Sequence, residues 1–347
     1  MRHPYPIREI ARQAGLSTAT VDRVLHNRGN VRESTIREVR EAIKALDRQQ
    51  AQVRIGGRTF MIDIVMQAPE RFSTAVREAL EAELPSLHPA VVRSRFHFRE
   101  SCPPGELVGI LDKIAKRGSQ GVILKAPDVP EIAAAVGRLV QAGVPVVTLV
   151  TDLPLSARRA YIGIDNRAAG ATAAYLLQQW LGDRPGNVLT TISRSSFRGE
   201  EEREMGFRSA MRLADPKRSV VEVTDSDGLD ATQRDLVLEA LERDGDIVAV
   251  YSMGGGNLAT LDAFAALKRP CAVFVAHDLD HDNTRLLRDR RISAVLHHDL
   301  RQDVRRACQT VMRAHKALPD DGPALPSAIQ VVTPFNLPPD VAPPPSG

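Results

Sequence analysis

Residues 7–27, IREIARQAGLSTATVDRVLHN, carry the strongest local pattern in the chain. Ile7, Ile10, Ala11 and Ala14 recur at helical spacing, and so do Val21, Val24 and Leu25. Gly15 lies between the two runs, and glycine is the residue that most cheaply ends a helix in a left-handed conformation. Ser17 follows as a good N-cap for a second helix. Two short helices, a glycine turn and one shared apolar face predict a helix-turn-helix. The outward side of its second helix carries Thr18, Ala19, Asp22 and Arg23. Small and hydrogen-bonding side chains there let a helix enter the DNA major groove. Spacing alone leaves a helical hairpin inside a core as the lesser alternative.

Charge bears on the two readings, although a solvated helix surface would also be charged. The 347 residues carry a net charge of +3, but residues 1–58 hold 12 Arg/Lys and 6 Asp/Glu, so the head is +6 and the remainder −3. A basic head on a nearly neutral body points to a polyanion that meets the head alone. Cys102, Cys271 and Cys308 are far apart and odd in number, against a disulfide framework or a four-thiolate zinc site. No apolar run approaches the ~20 residues of a membrane span. The N-terminal MRHPYPIREI lacks the apolar stretch of a signal peptide, so a cytoplasmic setting is expected.

Residues 31–47 predict a third helix, capped by Ser34, whose stripe of Ile36, Val39, Ile43 and Leu46 closes over the first two. Residues 48–58, RQQAQVRIGGR, lose that periodicity and read as a linker, mobile without DNA. From Thr59 onward, β-branched runs such as TFMIDIVM (59–66), GVILKA (121–126), PVVTLVT (145–151), IVAVYSM (247–253) and CAVFVAH (271–277) alternate with amphipathic stretches. This alternation predicts parallel sheets covered by helices on both faces. Ten such runs exceed one comfortable sheet, so two lobes are expected.

Polar clusters fall where strands end. His277, Asp278, Asp280, His281 and Asp282 follow one run, and His297, His298 and Asp299 another. These types can bind metal, but no HExxH-type spacing is present, and a metal-dependent α/β hydrolase is the weaker reading. Ligands in open α/β sheets bind at the carboxyl ends of strands, so the same clusters suit a sugar site. Arg194, Arg198 and Arg203 follow the run 187–193, and a guanidinium can grip vicinal hydroxyls with two parallel hydrogen bonds. Gly254-Gly255-Gly256-Asn257 is neither a dinucleotide fingerprint nor a phosphate loop, and reads as a tight turn at a cleft rim. Trp180 reads as core. No serine has a nucleophile-elbow context.

Residues 7–46 resemble the DNA-binding head of the lactose-repressor (LacI/GalR) family. The family's helix ending in AGVS, then ATVSRVLN, then V-x-x-x-T-x-x-x-V, appears here as Ala14-Gly15-Leu16-Ser17, then Ala19 to His26, then Val31, Thr35 and Val39. The remainder resembles the family's effector domain, like periplasmic sugar-binding proteins, through Gly143 to Val147, Ile162-Gly163-Ile164-Asp165-Asn166 with Ala169-Gly170, Arg203 with Gly206-Phe207, and Ala276-His277-Asp278. The resemblance implies an α/β architecture: a three-helix helix-turn-helix head plus a two-lobed effector domain with two parallel sheets flanked by helices, of the periplasmic binding protein type I kind. Its divisions are a head at 1–47, the linker at 48–58, an effector domain at 59–340 and a disordered tail at 341–347. The N-lobe takes about 59–161 and 296–328, and the C-lobe about 162–295 and 329–340.

By the same resemblance, Thr18 and Ala19 read bases and Arg23 contacts DNA, with Ser17, Thr20, His26 and Asn27 completing that face. Arg203, Asp278, Phe72 and His298 fall on effector positions, joined by Gln67, Asp152 and Arg194. Asp22 stands where the family has serine, and Gly57 near the family's hinge leucine. The implied function is a sequence-specific transcriptional regulator, a repressor in kind, controlled by a small sugar or polyol. Operator DNA, the effector and a second copy of the chain are the implied partners, with no membrane, cofactor, metal or catalytic residue. The C-terminal stretch is too proline-rich for a leucine-heptad helix, so a dimer is expected. A sugar-binding transport component is the alternative.

Overall fold

The computed structural model describes residues 4–338 except 27, 30, 89, 195, 227, 228 and 321, with backbone only for 48–55. Asn27 and the tail 341–347 lie outside the described residues.

Helix α1 (Ile7–Ala14) ends at Gly15, whose φ of 65° is left-handed. Helix α2 (Thr18–Leu25) starts at Ser17, whose side chain accepts from the Thr20 amide at 3.1 Å. Ile10, Ala11, Val21, Val39, Ala42 and Leu46 bury one small core against α3 (Glu33–Ile55), and Tyr5 donates to Asp47 at 2.7 Å. Two expectations change here. Ser34 lies inside the first turn of α3 rather than capping it. The linker at 48–58 is helical as far as Ile55, so α3 is one helix of 23 residues. Loss of an apolar stripe reports loss of burial, not of helicity. Arg48 to Ile55 contain no glycine or proline, and Arg, Gln and Ala propagate a helix well. The break comes at Gly56-Gly57, where Gly57 takes φ 76°.

The N-lobe is a five-stranded parallel sheet. Its strands are β1 (Thr59–Gln67), β2 (Val91–Arg99), β3 (Gly121–Lys125), β4 (Val146–Leu149) and β5 (Ala160–Ile162), in the order β2-β1-β3-β4-β5. Helices α4 (Glu70–Glu83), α5 (Pro104–Arg117) and α6 (Pro130–Gln141) connect them, and apolar cores lie on both faces of the sheet. The chain then enters the C-lobe through α7 (Asn166–Leu181). There β6 (Asn187–Thr191), α8 (Arg198–Ala214), β7 (Val220–Val223), α9 (Asp230–Arg243), β8 (Ile247–Ser252), α10 (Asn257–Ala266), β9 (Val273–His277), α11 (His281–Arg288) and β10 (Ala294–His297) follow. Helix α12 (Leu300–Ala314) returns to the N-lobe core, and β11 (Gln330–Val332) pairs antiparallel with β10. The second sheet runs β11-β10-β9-β8-β6-β7.

Three crossovers therefore join the lobes. The second falls after His297, later than the expected 296, because β10 pairs with β9. The first falls after Ile162, which pairs with Leu149 in the N-lobe sheet. At the first and third crossovers the Ser327 amide donates to the Gly163 carbonyl at 2.8 Å. Trp180 is 44% exposed, not core, because α7 buries the adjacent Ala169, Ala173, Ala174, Leu177 and Leu181.

Helices α7 and α8 cross at glycines. A Cβ at Gly170 would collide with the Arg203 carbonyl, and one at Gly206 with that of Arg167. This contact sets the position of α8 and with it the Arg203 side chain. Gly170→Ala is expected to cost about 1–3 kcal/mol by overpacking, read as a lower denaturant midpoint, with Arg203 displaced.

Candidate functional site

On the head, Ser17, Thr18, Ala19, Arg23 and His26 are exposed along α2, with Thr20 half-buried. Ser17 and Thr20 are 2.8 Å apart through their hydroxyls, so both serve the cap. The Arg23 Nε donates to the Ala19 carbonyl at 3.3 Å. Asp22 lies 3.1 Å from His26 Nδ1 and 3.7 Å from Arg28, so its negative charge faces two basic side chains on the same surface.

The body has a cleft between the lobes, of about 720 Å³ including its mouth. The carboxyl ends of the parallel strands of both sheets face it, the position that open α/β sheets use for ligands. The N-lobe contributes Gln67 from β1, Phe72 from α4 and Lys125 from β3. The C-lobe contributes Glu200 and Arg203 from α8 and Asp278 after β9.

Asp278 takes a left-handed φ of 64°, uncommon for a residue with a side chain. The loop holds it there. Asn283 donates to the carbonyls of His277 and Asp278 at 2.9 and 2.7 Å, and Asn257 supports Asn283 at 2.7 Å. Burial opposes the Asp278 charge, but His298 and Arg203 hold its carboxyl well below the usual carboxylate range. One buried oxygen, Oδ1, has no hydrogen-bond partner and lies 3.6 Å from His298 Nε2. That separation suits an ion pair and is too long for a hydrogen bond.

Arg203 is buried, donating to Asn166 at 2.8 Å and to the Met253 carbonyl at 2.9 Å. Glu200 accepts from the Ser193 amide and hydroxyl at 2.7 and 2.6 Å. Lys125 donates to the Gln67 carbonyl at 3.1 Å, with its ammonium 4.1 Å from the Phe197 ring and 5.7 Å from that of Phe72. Burial lowers its pKa to about 8, against the opposing pull of Glu200 and Asp278.

The glycine loop after β8 is a seat. A Cβ at Gly255 would collide with the Arg71 guanidinium, and one at Gly254 would crowd Ser193 and Glu200. Arg71 crosses from α4 to that seat and lies 3.3 Å from Asp280 of the opposite lobe. Burial lifts the Asp280 carboxyl to about 6, with the Asn283 amide and Arg71 opposing the rise.

The structure thus brings Gln67, Phe72, Arg203 and Asp278 to one cleft, and corrects three other placements. Asp152 is engaged on its own loop by Arg158 and by Thr148 at 2.8 Å, and does not line the cleft. Arg194 reaches Ser101 at 3.1 Å outside the lining. His298 is buried behind Asp278. Lys125, Glu200 and Arg71 were not singled out as ligand residues, and Asp280 appeared only as a member of the polar cluster after residues 271–277. For Lys125 a signal existed, since a charge at the carboxyl end of the apolar run GVILKA has few other reasons to be there. The metal-capable clusters are otherwise occupied: Asp280 and Asp299 cap α11 and α12, and His277 bonds Tyr251 at 2.7 Å. Among the described residues no group of three or more such side chains is placed to hold a metal ion, and no helix is long and apolar enough to cross a membrane.

Residues 64–317 match the periplasmic binding protein domain family, and residues 6–47 match the bacterial regulatory proteins of the lacI family. The chain is a lacI-family regulator with a periplasmic-binding-protein body. Among solved structures, this regulator is similar to GanP, a glucose-galactose binding protein from Geobacillus stearothermophilus, with 18% identity, 81% of this chain and 99% of that chain covered, and a TM-score of 0.72. A protein described as a LacI transcriptional regulator from Bacteroides fragilis gives 15% identity, 80% and 98% coverage and a TM-score of 0.70. A carbohydrate transporter from Acidothermus cellulolyticus, solved with myo-inositol, gives 16%, 80%, 95% and 0.69. Identities this low carry the fold alone. No curated sequence matches the regulator.

Arg71→Ala should free the two rims from each other. It leaves Asp280 buried without its cation, costs about 1–3 kcal/mol, and raises the Asp280 pKa further. Faster hydrogen exchange at residues 70–74 and 254–257 is the expected reading.

Proposed function

We propose that a neutral sugar or polyol bound in the cleft controls this regulator's affinity for operator DNA, and that the working unit is a homodimer. The observation that carries the reading is the pairing of Lys125 and Asp278 across the cleft. They come from opposite lobes, one as donor and one as a carboxylate whose Oδ1 is buried against His298 while the rest of its side chain is open to the cleft. A ligand hydroxyl can accept from the first and donate to the second, joining the lobes through itself. The rings of Phe72 and Phe197 offer apolar faces for the C–H side of a sugar.

Charge selects a neutral ligand. Among the charged groups that line the cleft, Arg71, Lys125 and Arg203 stand against Glu100, Glu200, Asp278 and Asp280, and Arg71 and Asp280 pair with each other. An ionic ligand would add an uncompensated charge in a desolvated place, which is costly. Carbohydrates named for the structural relatives, glucose-galactose and myo-inositol, are of this class. Homodimerisation follows from the head, because one short helix reads few base pairs and a two-fold protein reads two half-sites. Closure of the lobes would alter the spacing of the two heads, and only a ligand that prefers one state can do this.

The test is a thermal-shift screen of pentoses, hexoses and inositols on the full chain, with light scattering to give the dimer mass. One compound is expected to stabilise the wild type. Asp278→Ala should weaken that compound by about 1–3 kcal/mol while keeping the dimer. Stabilisation by sugar acids alone would overturn the neutral-ligand reading.

A further inference from the structure

A buried chain of polar groups runs from the cleft through all three lobe crossovers. Asp278, after β9, lies 3.6 Å from His298 Nε2. His298 sits on the second crossover, and its Nδ1 is 2.6 Å from Asp303 of α12 in the N-lobe. Asp303 accepts from the Ser327 hydroxyl on the third crossover, and Arg306 donates to that hydroxyl at 2.9 Å. The Ser327 amide donates to the Gly163 carbonyl on the first crossover at 2.8 Å. His298 is 1% exposed and Asp303 is fully buried. The ring thus stands between two carboxylates from different lobes, hydrogen-bonded to Asp303 and ion-paired with Asp278.

We propose that His298 is a positioning residue that locks the ligand-facing carboxylate of Asp278 to the three crossovers, so that the lobe angle and the orientation of Asp278 are set together. The inference rests on the reading of the cleft as a ligand site. A doubly protonated ring holds Asp303 by a hydrogen bond through Nδ1 and Asp278 by an ion pair through Nε2, whereas a neutral ring that keeps its Nδ1–H for Asp303 loses the ion pair. Burial works against the charge on His298, but Asp278 and Asp303 outweigh it and raise the pKa to about 9. The other groups facing the ring system are His277 on β9, His297 on β10, Arg203 on α8 and Arg306 on α12. His277 and His297 are pushed down, His297 to about 4, so neither competes for the charge. Because the folded pKa lies above the unfolded one, the lock is complete at neutral pH and is lost as pH rises through about 9.

The experiment uses the ligand-free full chain, with spin labels carried by non-natural amino acids at Lys113 and Arg212, which are exposed on the two lobes. Inter-lobe distances are read from about pH 7 to about pH 10, on either side of the His298 pKa. The wild-type distribution should broaden above about 9. His298→Gln should be broad already at neutral pH and show no further change. An identical pH response in both proteins would assign the transition to another group, such as Lys125, and overturn the proposal. A distribution in both that ignores pH would overturn it as well. Nitrogen NMR of the histidine rings in the unmutated wild type is the second measurement. A doubly protonated His298 at neutral pH is expected, and a neutral ring contradicts the lock even if the variant fails to fold. No ligand is added, so failure of the sugar screen and failure of this inference remain separate results.

Discussion

Asp278 keeps its charge in a half-buried place, with one carboxylate oxygen fully covered, and much of the body is arranged around that fact. A lone carboxylate there would take up a proton or force the site open. Arg203 lies on one side, His298 behind, and Lys125 on the opposite lobe. The left-handed backbone at Asp278 is a strained choice, and strain of this kind persists where surroundings over-determine it. Here the surroundings are Asn283 and Asn257, each fixed by the next. The loop sequence after β9 thus does two jobs, aiming one carboxylate and starting α11 through the Asp280 cap.

The groups that meet Asp278 are delivered by packing rather than by loops alone. Arg203 is where it is because α7 and α8 approach at Gly170 and Gly206, closer than any side chain would allow. Arg71 can rest on the opposite lobe because Gly255 has no side chain. Small residues at these contacts are conditions for the site, although none of them would touch a ligand. A rigid scaffold under a charged cleft also suits a switch, since packed interfaces move between discrete arrangements rather than deforming continuously.

The head, the alternation of strands and helices and the two-lobed body were legible in the sequence, because each rests on a strong period or an unambiguous punctuation such as Gly15 and Ser17. The cleft was legible in part. Arg203 and Asp278 sit at strand ends or beside them and carry the family pattern, so they could be placed. Glu200 could not, because it lies among the charges of Arg198 to Arg203, and periodicity does not say which of them turns inward. Asp152 was misplaced because a neighbouring Arg158 on its own loop satisfies it, a contact no spacing reveals. The helical extension of α3 to Ile55 was missed because an apolar stripe reports burial, whereas the backbone responds to propensity as well.

Head and body make one regulator only if ligand binding in the cleft changes what α2 does on DNA. The direct measurement is fluorescence anisotropy of a pseudo-palindromic duplex, selected from random DNA on the full chain and titrated at fixed salt, with and without a saturating stabilising sugar. The expected result is a change in duplex affinity of about 5- to 150-fold, lost in Asp278→Ala, with binding itself weakened in Arg23→Ala. An affinity that stays the same in saturating sugar would contradict the coupling of cleft to operator.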